Sequence, residues 1–288
     1  MKLPYLQYAQ QIIPSLHNQR RISFDVHYNP NLPKPLPVIV FIHGFNGFKD
    51  WGAFPLIAEY FAENGFVFIR MNLSHNGTTP ENPTEIVDLE AYSIDKFSYG
   101  LDDIKSVIDF LYQEKGLLAD VVNLDKLTLI GHSRGGGLAI MKTAEDERVK
   151  SLVTWASIAA INHFWTEEVV QKIQTEGIYW ITHGRTKQRL PLAKAYYDDI
   201  LANYHRIDFA QVVPRLKVPC MFIHGSADTT LPLEMLYKLH SYKPDSQIHV
   251  IENANHTFGA YHPYDKEELP EHTQELVRKT VEFLRQLS

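Results

Sequence analysis

The sequence predicts an α/β protein: a doubly wound, mostly parallel eight-stranded sheet with a small helical insertion. Three observations predict it. Short, almost wholly apolar runs rich in Val, Ile and Phe, such as VIVFIHG at 38–44, suit strands covered on both faces. Stretches with a single apolar helical face alternate with those runs through most of the chain. The alternation lapses once, between about residues 158 and 214, and then resumes, which reads as one domain over 1–288 with a lid inserted at about 158–214.

The elements follow in order. Residues 22–28 alternate apolar and polar as a half-exposed strand at an antiparallel edge does, and the connector NPNLPKPLP leads from it to the central strand at 38–44. From 53 to 64, Leu56, Ile57, Tyr60 and Phe61 share a helical face, with Gly65 as the stop and FVFIR as the next strand. Leu101, Ile104, Val107, Ile108 and Leu111 make a second helical stripe, ending at Gly116 before a strand at 127–130. SLVTWAS is the next strand. After the insertion, whose pieces read as helical with no buried-strand signature, come a strand at 218–225, a helix from about Leu233, the strand QIHVI and a last helix carrying Leu276, Val277, Val281 and Leu284. Open sheets of this kind place their sites at the carboxyl ends of the strands.

Residues 127–140, LTLIGHSRGGGLAI, run from an apolar strand straight into a serine flanked by glycines two places away on either side, and a helical pattern follows. Such a strand, turn and helix put Ser133 at the tip of a tight turn. Its hydroxyl stands clear of the sheet, and the next N–H opens a helix, where developing negative charge is stabilised. A glycine-rich loop that packs closely or holds a phosphate is the competing reading, but neither G-x-G-x-x-G nor G-x-x-x-x-G-K-S/T is present.

A serine hydroxyl is a poor nucleophile at neutral pH and needs a base, itself held in one tautomer by a third group. Asp228, in HGSADTTLP, follows the strand ending at Ile223; taken alone it reads as an Asx-turn or capping aspartate. His256, in ENANHTFGAYHPY, follows the strand ending at Ile251; taken alone, among 14 histidines, it reads as a surface residue. The order Ser, Asp, His, each placed after a sheet strand, joins the three into a charge-transfer chain. HGFNG at 43–47 follows the central strand and supplies the fourth part, an oxyanion hole whose donors are the backbone N–H groups of Phe45 and Arg134.

HGFNGFKDWGAFPLIAEYFA, MNLSHNG, GHSRGGG and NHTFGAYHP carry a resemblance to a known family. Nearly the whole chain resembles the α/β-hydrolases, in the broad group of dienelactone-hydrolase-like proteins, feruloyl or cinnamoyl esterases and serine aminopeptidases. The resemblance implies the α/β-hydrolase fold and, position by motif, the triad Ser133, Asp228 and His256; it implies no particular substrate. Arg134 departs from the pattern, since many esterases of the group carry glutamine there. Its side chain is expected either to pair with an acid such as Asp50 or to cover the helix.

Composition narrows the function further. Lys plus Arg number 28 against 34 for Asp plus Glu, a formal charge of -6, with no block of like charges, so nucleic acid is an unexpected partner. The single cysteine, Cys220, follows Pro219 in an apolar run and reads as core. Neither a compact apolar leader nor an apolar run long enough for a membrane span is evident, so a soluble cytoplasmic protein with no membrane partner is expected. HExxH is absent, and His75, His132, His163 and His183 show no ligand spacing with carboxylates, so neither metal nor cofactor is expected.

In the insertion, Thr166 followed by Glu167 and Glu168 reads as a capped, acidic first turn of a helix; the alternative is that the two acids hold a substrate's amino group. Trp155 at its root, then Phe164 and Trp165, read first as the core of a small lid; the functional alternative is that they wall an apolar acyl pocket. The expected function is hydrolysis of a small-molecule carboxylic ester through a covalent acyl-enzyme. A peptidase or thioesterase using the same groups, and a non-catalytic binding protein of the same fold, are the alternatives.

Overall fold

In the computed structural model, residues 7–113, 118–161 and 165–287 are described. The strands along the chain are β1 (Gln7–Pro14), β2 (Arg21–Tyr28), β3 (Leu36–Ile42), β4 (Val67–Met71), β5 (Val122–His132), β6 (Ser151–Trp155), β7 (Ile178–Thr182), β8 (Arg189–Ala193), β9 (Cys220–Gly225) and β10 (Gln247–Ile251). Eight of them form one sheet in the order β1-β2-β4-β3-β5-β6-β9-β10, while β7 and β8 pair separately. From β4 to β10 all neighbours are parallel; β1 with β2, and β2 with β4, are antiparallel.

The helices are α1 (Phe54–Glu63), α2 (Leu89–Ser93), α3 (Phe97–Gln113), α4 (Arg134–Glu145), α5 (Glu167–Glu176), α6 (Lys194–Ala202), the single turns α7 (Tyr204–Ile207) and α8 (Phe209–Val212), then α9 (Glu234–Tyr242) and α10 (Glu271–Gln286). Helix α1 starts with Pro55 in its first turn and buries Phe54, Ile57, Ala58 and Phe61; Gly65, at φ +91°, turns the chain away from it as expected. The expected stop at Gly116 lies outside the described residues.

The two-residue period of the strands divides the core. On β3, Val38, Val40 and Ile42 face α3 and α4, whereas Ile39 and Phe41 face α1 and α10. The sheet is therefore covered on both faces, as the apolar runs require. Cys220 is buried, its thiol pushed up to about 12 by desolvation. Among the described residues, no helix is long and apolar enough to cross a membrane.

The insertion differs from a purely helical one, because it contains the antiparallel ribbon β7–β8. The apolar packing of this ribbon runs mainly along one face, where Leu190 and Leu192 meet Ile86 and Tyr92. Two short strands packed mainly along one face do not produce the continuous apolar run that marks a central strand. Thr166 caps α5 by accepting from the Val169 N–H, as its sequence indicates.

Candidate active site

Ser133 stands between β5 and α4 with φ 57° and ψ −122°. A non-glycine residue in that region costs on the order of 1–3 kcal/mol and persists only where its surroundings enforce it. Here they do: the Ser133 N–H donates to the Trp155 carbonyl at 2.9 Å, and its own carbonyl accepts from Gly136 at 3.0 Å. The flanking glycines serve space rather than backbone angle. A Cβ on Gly131 would lie 2.1 Å from the Gly135 carbonyl oxygen, and one on Gly135 would lie 2.3 Å from that of Ile42.

Asp228 and His256 come together from the turns after β9 and β10. The His256 Nδ1–H donates to Asp228 Oδ2 at 2.7 Å. Asp228 Oδ1 accepts the N–H groups of Thr230 and Leu231 at 2.8 and 2.9 Å, so the carboxylate is fixed at both oxygens. Burial alone would raise its pKa; hydrogen bonds from His224 and His256 overcome that and hold it well below the ordinary range. His224, buried on β9, places Nε2 3.2 Å from Asp228 Oδ2 and donates to the Leu231 carbonyl at 3.0 Å. Sequence reasoning gave His224 no role, and the one signal was its position four residues before the acid. Asp208, by contrast, caps α8 through the Ala210 N–H.

His132, immediately before Ser133, donates from Nε2 to the carbonyl of His256 at 2.8 Å. Burial, with the nearby His256, pushes its pKa down to about 3, so the ring is neutral and this tie does not titrate near neutral pH. The turn carrying Ser133 and the loop carrying His256 are thereby fastened together. No role was read for it beyond the absence of a metal ligand pattern.

The loop after β3 approaches Ser133 closely: a Cβ on Gly44 would lie 3.0 Å from the Ser133 Cβ. His43 Nδ1 donates to the Gly44 carbonyl at 2.8 Å, and Asn76 donates to Gly47's at 3.2 Å. Burial pushes His43 down to about 4, leaving its Nε2 free of a proton to face the Leu73 N–H and the Asn76 amide at 3.4 and 3.3 Å. The MNLSHNG segment thus braces the loop carrying Phe45. The Arg134 N–H is the first of α4 and belongs to the turn of donors that a helix cannot satisfy internally.

The Arg134 side chain meets neither Asp50 nor solvent. Its Nη1 lies 2.7 Å from Asp95 Oδ2, with the guanidinium 5.6 Å from the Phe97 ring centroid and 5.5 Å from that of Tyr196. Burial opposes both charges; the contact holds Arg134 ionised, while the Asp95 carboxyl still stands above its ordinary value. Asp50 instead joins Lys49 and Arg70 in a network with buried Asp25.

Two cavities open at Ser133. One, of about 360 Å³, is walled by Phe45, Phe97, Trp165, Leu192 and Tyr196 beside Arg134. The other, of about 380 Å³, is walled by Asn46, Trp51, His183, Arg185 and His256. Trp165 therefore stands where the pocket reading puts it, tilted against Tyr196 and Tyr197 with centroids 5.3 and 5.1 Å away. Trp155 does not. Alternation along β6 turns its indole to the α1 and α10 face, where it is 1% exposed and donates to Thr280 Oγ1; only its carbonyl reaches the Ser133 turn. Phe164 and His163 lie outside the described residues. Glu167 and Glu168 line neither cavity, and Glu168 pairs with Lys172. Among the described residues, no group of three His, Cys, Asp or Glu side chains could hold a metal ion.

This sheet order, with the turn carrying Ser133 at the end of β5 and the turns carrying Asp228 and His256 after β9 and β10, is the α/β-hydrolase fold. The sequence model described as alpha/beta hydrolase fold matches residues 37–175. Over 252 residues, 73% of this chain and 81% of the relative, the sequence is 22% identical to the bifunctional esterase/perhydrolase DCH of Acinetobacter calcoaceticus. Over 115 residues it is 27% identical to a Mycoplasma pneumoniae protein classed by inference as an esterase/lipase, a match spanning 40% of this chain and 35% of that one. Among solved structures, Est1E from Butyrivibrio proteoclasticus with ferulic acid bound superposes with a TM-score of 0.72 at 18% identity, covering 96% of this chain and 98% of that one.

Proposed function

We propose that the protein is a serine hydrolase that cleaves a small carboxylic ester through a covalent acyl-enzyme. The Ser133 Oγ attacks the ester carbonyl while His256 takes its proton, and Asp228 orients the imidazole and stabilises its positive form. The developing oxyanion is received by the N–H groups of Phe45 and Arg134. His256 then gives the proton to the leaving alcohol, and water repeats the sequence on the acyl-enzyme. The observation that carries this reading is the 2.7 Å bond from His256 Nδ1 to Asp228, in a histidine that lines the same cavity as Ser133.

The proton's destination assigns the two cavities. Because His256 must protonate the leaving group, that half of the substrate occupies the cavity His256 lines, and the acyl half occupies the apolar one walled by Phe97, Trp165 and Tyr196. Relatives named as esterases favour an ester over an amide. Among the described residues, those lining the cavities offer no acid for an amino terminus, which disfavours an aminopeptidase. The test is a matched panel: p-nitrophenyl esters of increasing acyl length, a feruloyl ester, an acyl-CoA and an aminoacyl anilide. Ester turnover that vanishes in Ser133→Ala is expected. Faster turnover of the anilide or the acyl-CoA would replace the ester reading.

A further inference from the structure

The leaving-group cavity differs in charge from the acyl cavity. The acyl side contains one guanidinium, that of Arg134, and Asp95 neutralises it. Among the described residues, the other side is lined by no Asp or Glu, and its one full cation is Arg185. Arg185 sits at the tip of the β7–β8 ribbon, a turn fixed by the His183 N–H donating to the Gln188 carbonyl at 2.8 Å and the Lys187 N–H donating to His183's at 3.0 Å. His183 Nδ1 also accepts the Thr186 N–H at 3.1 Å. His183, Gly184 and Arg185 of this turn line the cavity together with Gly44, Phe45, Asn46 and Gly47.

The other ribbon cations are occupied. Lys187 donates from Nζ to the Gly184 carbonyl at 2.6 Å, and the Arg189 guanidinium lies 4.9 Å from the Trp180 ring centroid. Among the described residues, Arg185 has neither an ion pair nor a hydrogen-bond partner for its side chain. Burial first, and then the Arg185 charge, hold both His183 and His262 below their ordinary values, so those rings add no positive charge of their own at neutral pH. One cation without a counter-ion therefore faces the space where the departing alcohol must lie.

We infer that the substrate's leaving group is an anionic alcohol, one carrying a carboxylate or phosphate that Arg185 receives across the cavity from His256. This inference rests on the esterase reading, which fixes the cavity holding the alcohol. A guanidinium matches either anion with paired N–H donors, and from an exposed residue such as Arg185 such a contact acts mainly on substrate binding. The acyl half is then recognised by apolar burial and the alcohol half by charge.

The test uses three butyrate esters that differ only in the leaving phenol: m-carboxyphenyl, phenyl and m-trimethylammoniophenyl. For wild type, kcat/KM should rank anionic, neutral, cationic once each is corrected for its hydroxide-catalysed rate. In Arg185→Gln the anionic-to-neutral ratio should fall about five- to tenfold, mostly through KM, and further in Arg185→Glu, with the difference shrinking at 0.5 M NaCl. m-Hydroxybenzoate should inhibit wild type more strongly than Arg185→Gln, a readout independent of turnover. m-Hydroxyphenyl phosphate, tested as an inhibitor beside it, distinguishes the two anions by which loses more affinity on substitution. A ratio and an inhibition untouched by Arg185→Gln would overturn the inference while leaving ester hydrolysis intact. Absence of Ser133-dependent turnover of all three esters would remove the esterase reading and this inference with it.

Discussion

His132 and His256 are joined through ring and backbone: the His132 Nε2–H meets the His256 carbonyl oxygen at 2.8 Å, and the two rings lie 4.9 Å apart. The residue preceding Ser133 thus sets the position of the loop that carries His256. His132→Phe keeps an apolar ring in a buried place but leaves that carbonyl without its donor. The expected loss is about 5- to 30-fold in kcat, with KM little changed, from one buried hydrogen bond. Because His132 is neutral well above its value of about 3, the ratio of wild type to variant should be flat from pH 5 to 9. A ratio that varies with pH would mean that His132 takes part in proton transfer.

Asp228→Asn should cost on the order of 10⁴ in turnover with ester binding nearly intact, because an amide can stabilise the wrong imidazole tautomer and cannot support its positive charge. Asp208→Asn, at the cap of α8, should be nearly silent. The reverse pattern would misassign the acid. A stability measurement accompanies this. The Asp228 carboxyl is depressed in the folded state, so its contribution is present above the unfolded value of about 4 and is lost as pH falls toward the folded one. The Tm advantage of wild type over Asp228→Asn should be constant from pH 8 to 5 and narrow below about pH 4. A gap that widens on acidification would contradict the sign.

Trp165 separates the acyl cavity from a second space of about 440 Å³ that also borders Tyr197, Leu201 and Tyr204. Trp165→Ala should join the two and raise long-acyl relative to short-acyl turnover, while the smallest ester reacts as before. Equal losses on every ester would assign the indole to lid packing alone, through its contacts with Tyr196 and Tyr197.

Asp95→Ala leaves the Arg134 guanidinium buried without its carboxylate. Stranding one member of a buried pair typically costs about 3 to 5 kcal/mol, a fall in Tm on the order of 10 °C here. Asp95→Ala with Arg134→Met should recover much of that loss, since no charge is then stranded. A double variant no more stable than Asp95→Ala would mean that the guanidinium is stabilised by its aromatic neighbours rather than by Asp95.

The sheet was legible in the sequence because its strands are buried on both faces and read as apolar runs, and the order of Ser133, Asp228 and His256 could be read because each follows such a run. The ribbon β7–β8 was not, since its apolar packing, through Leu190 and Leu192, runs mainly along one face. Trp155 was misread because its place in sequence, at the insertion's root, says less than its parity on β6, which Val153 on the same face could have supplied. Partners such as Asp95 for Arg134 and His224 for Asp228 depend on how separate segments or successive turns close on one another. Neither pairing leaves a periodic trace.

The most direct measurement of the central claim is the intact mass and modified peptide of the protein after reaction with a fluorophosphonate probe. An activated serine beside an oxyanion hole reacts readily, whereas ordinary serines do not. Wild type should gain a single adduct on the peptide containing Ser133, and Ser133→Ala should gain none. An adduct that persists in Ser133→Ala, or a folded wild type that takes up no probe, would contradict Ser133 as the nucleophile.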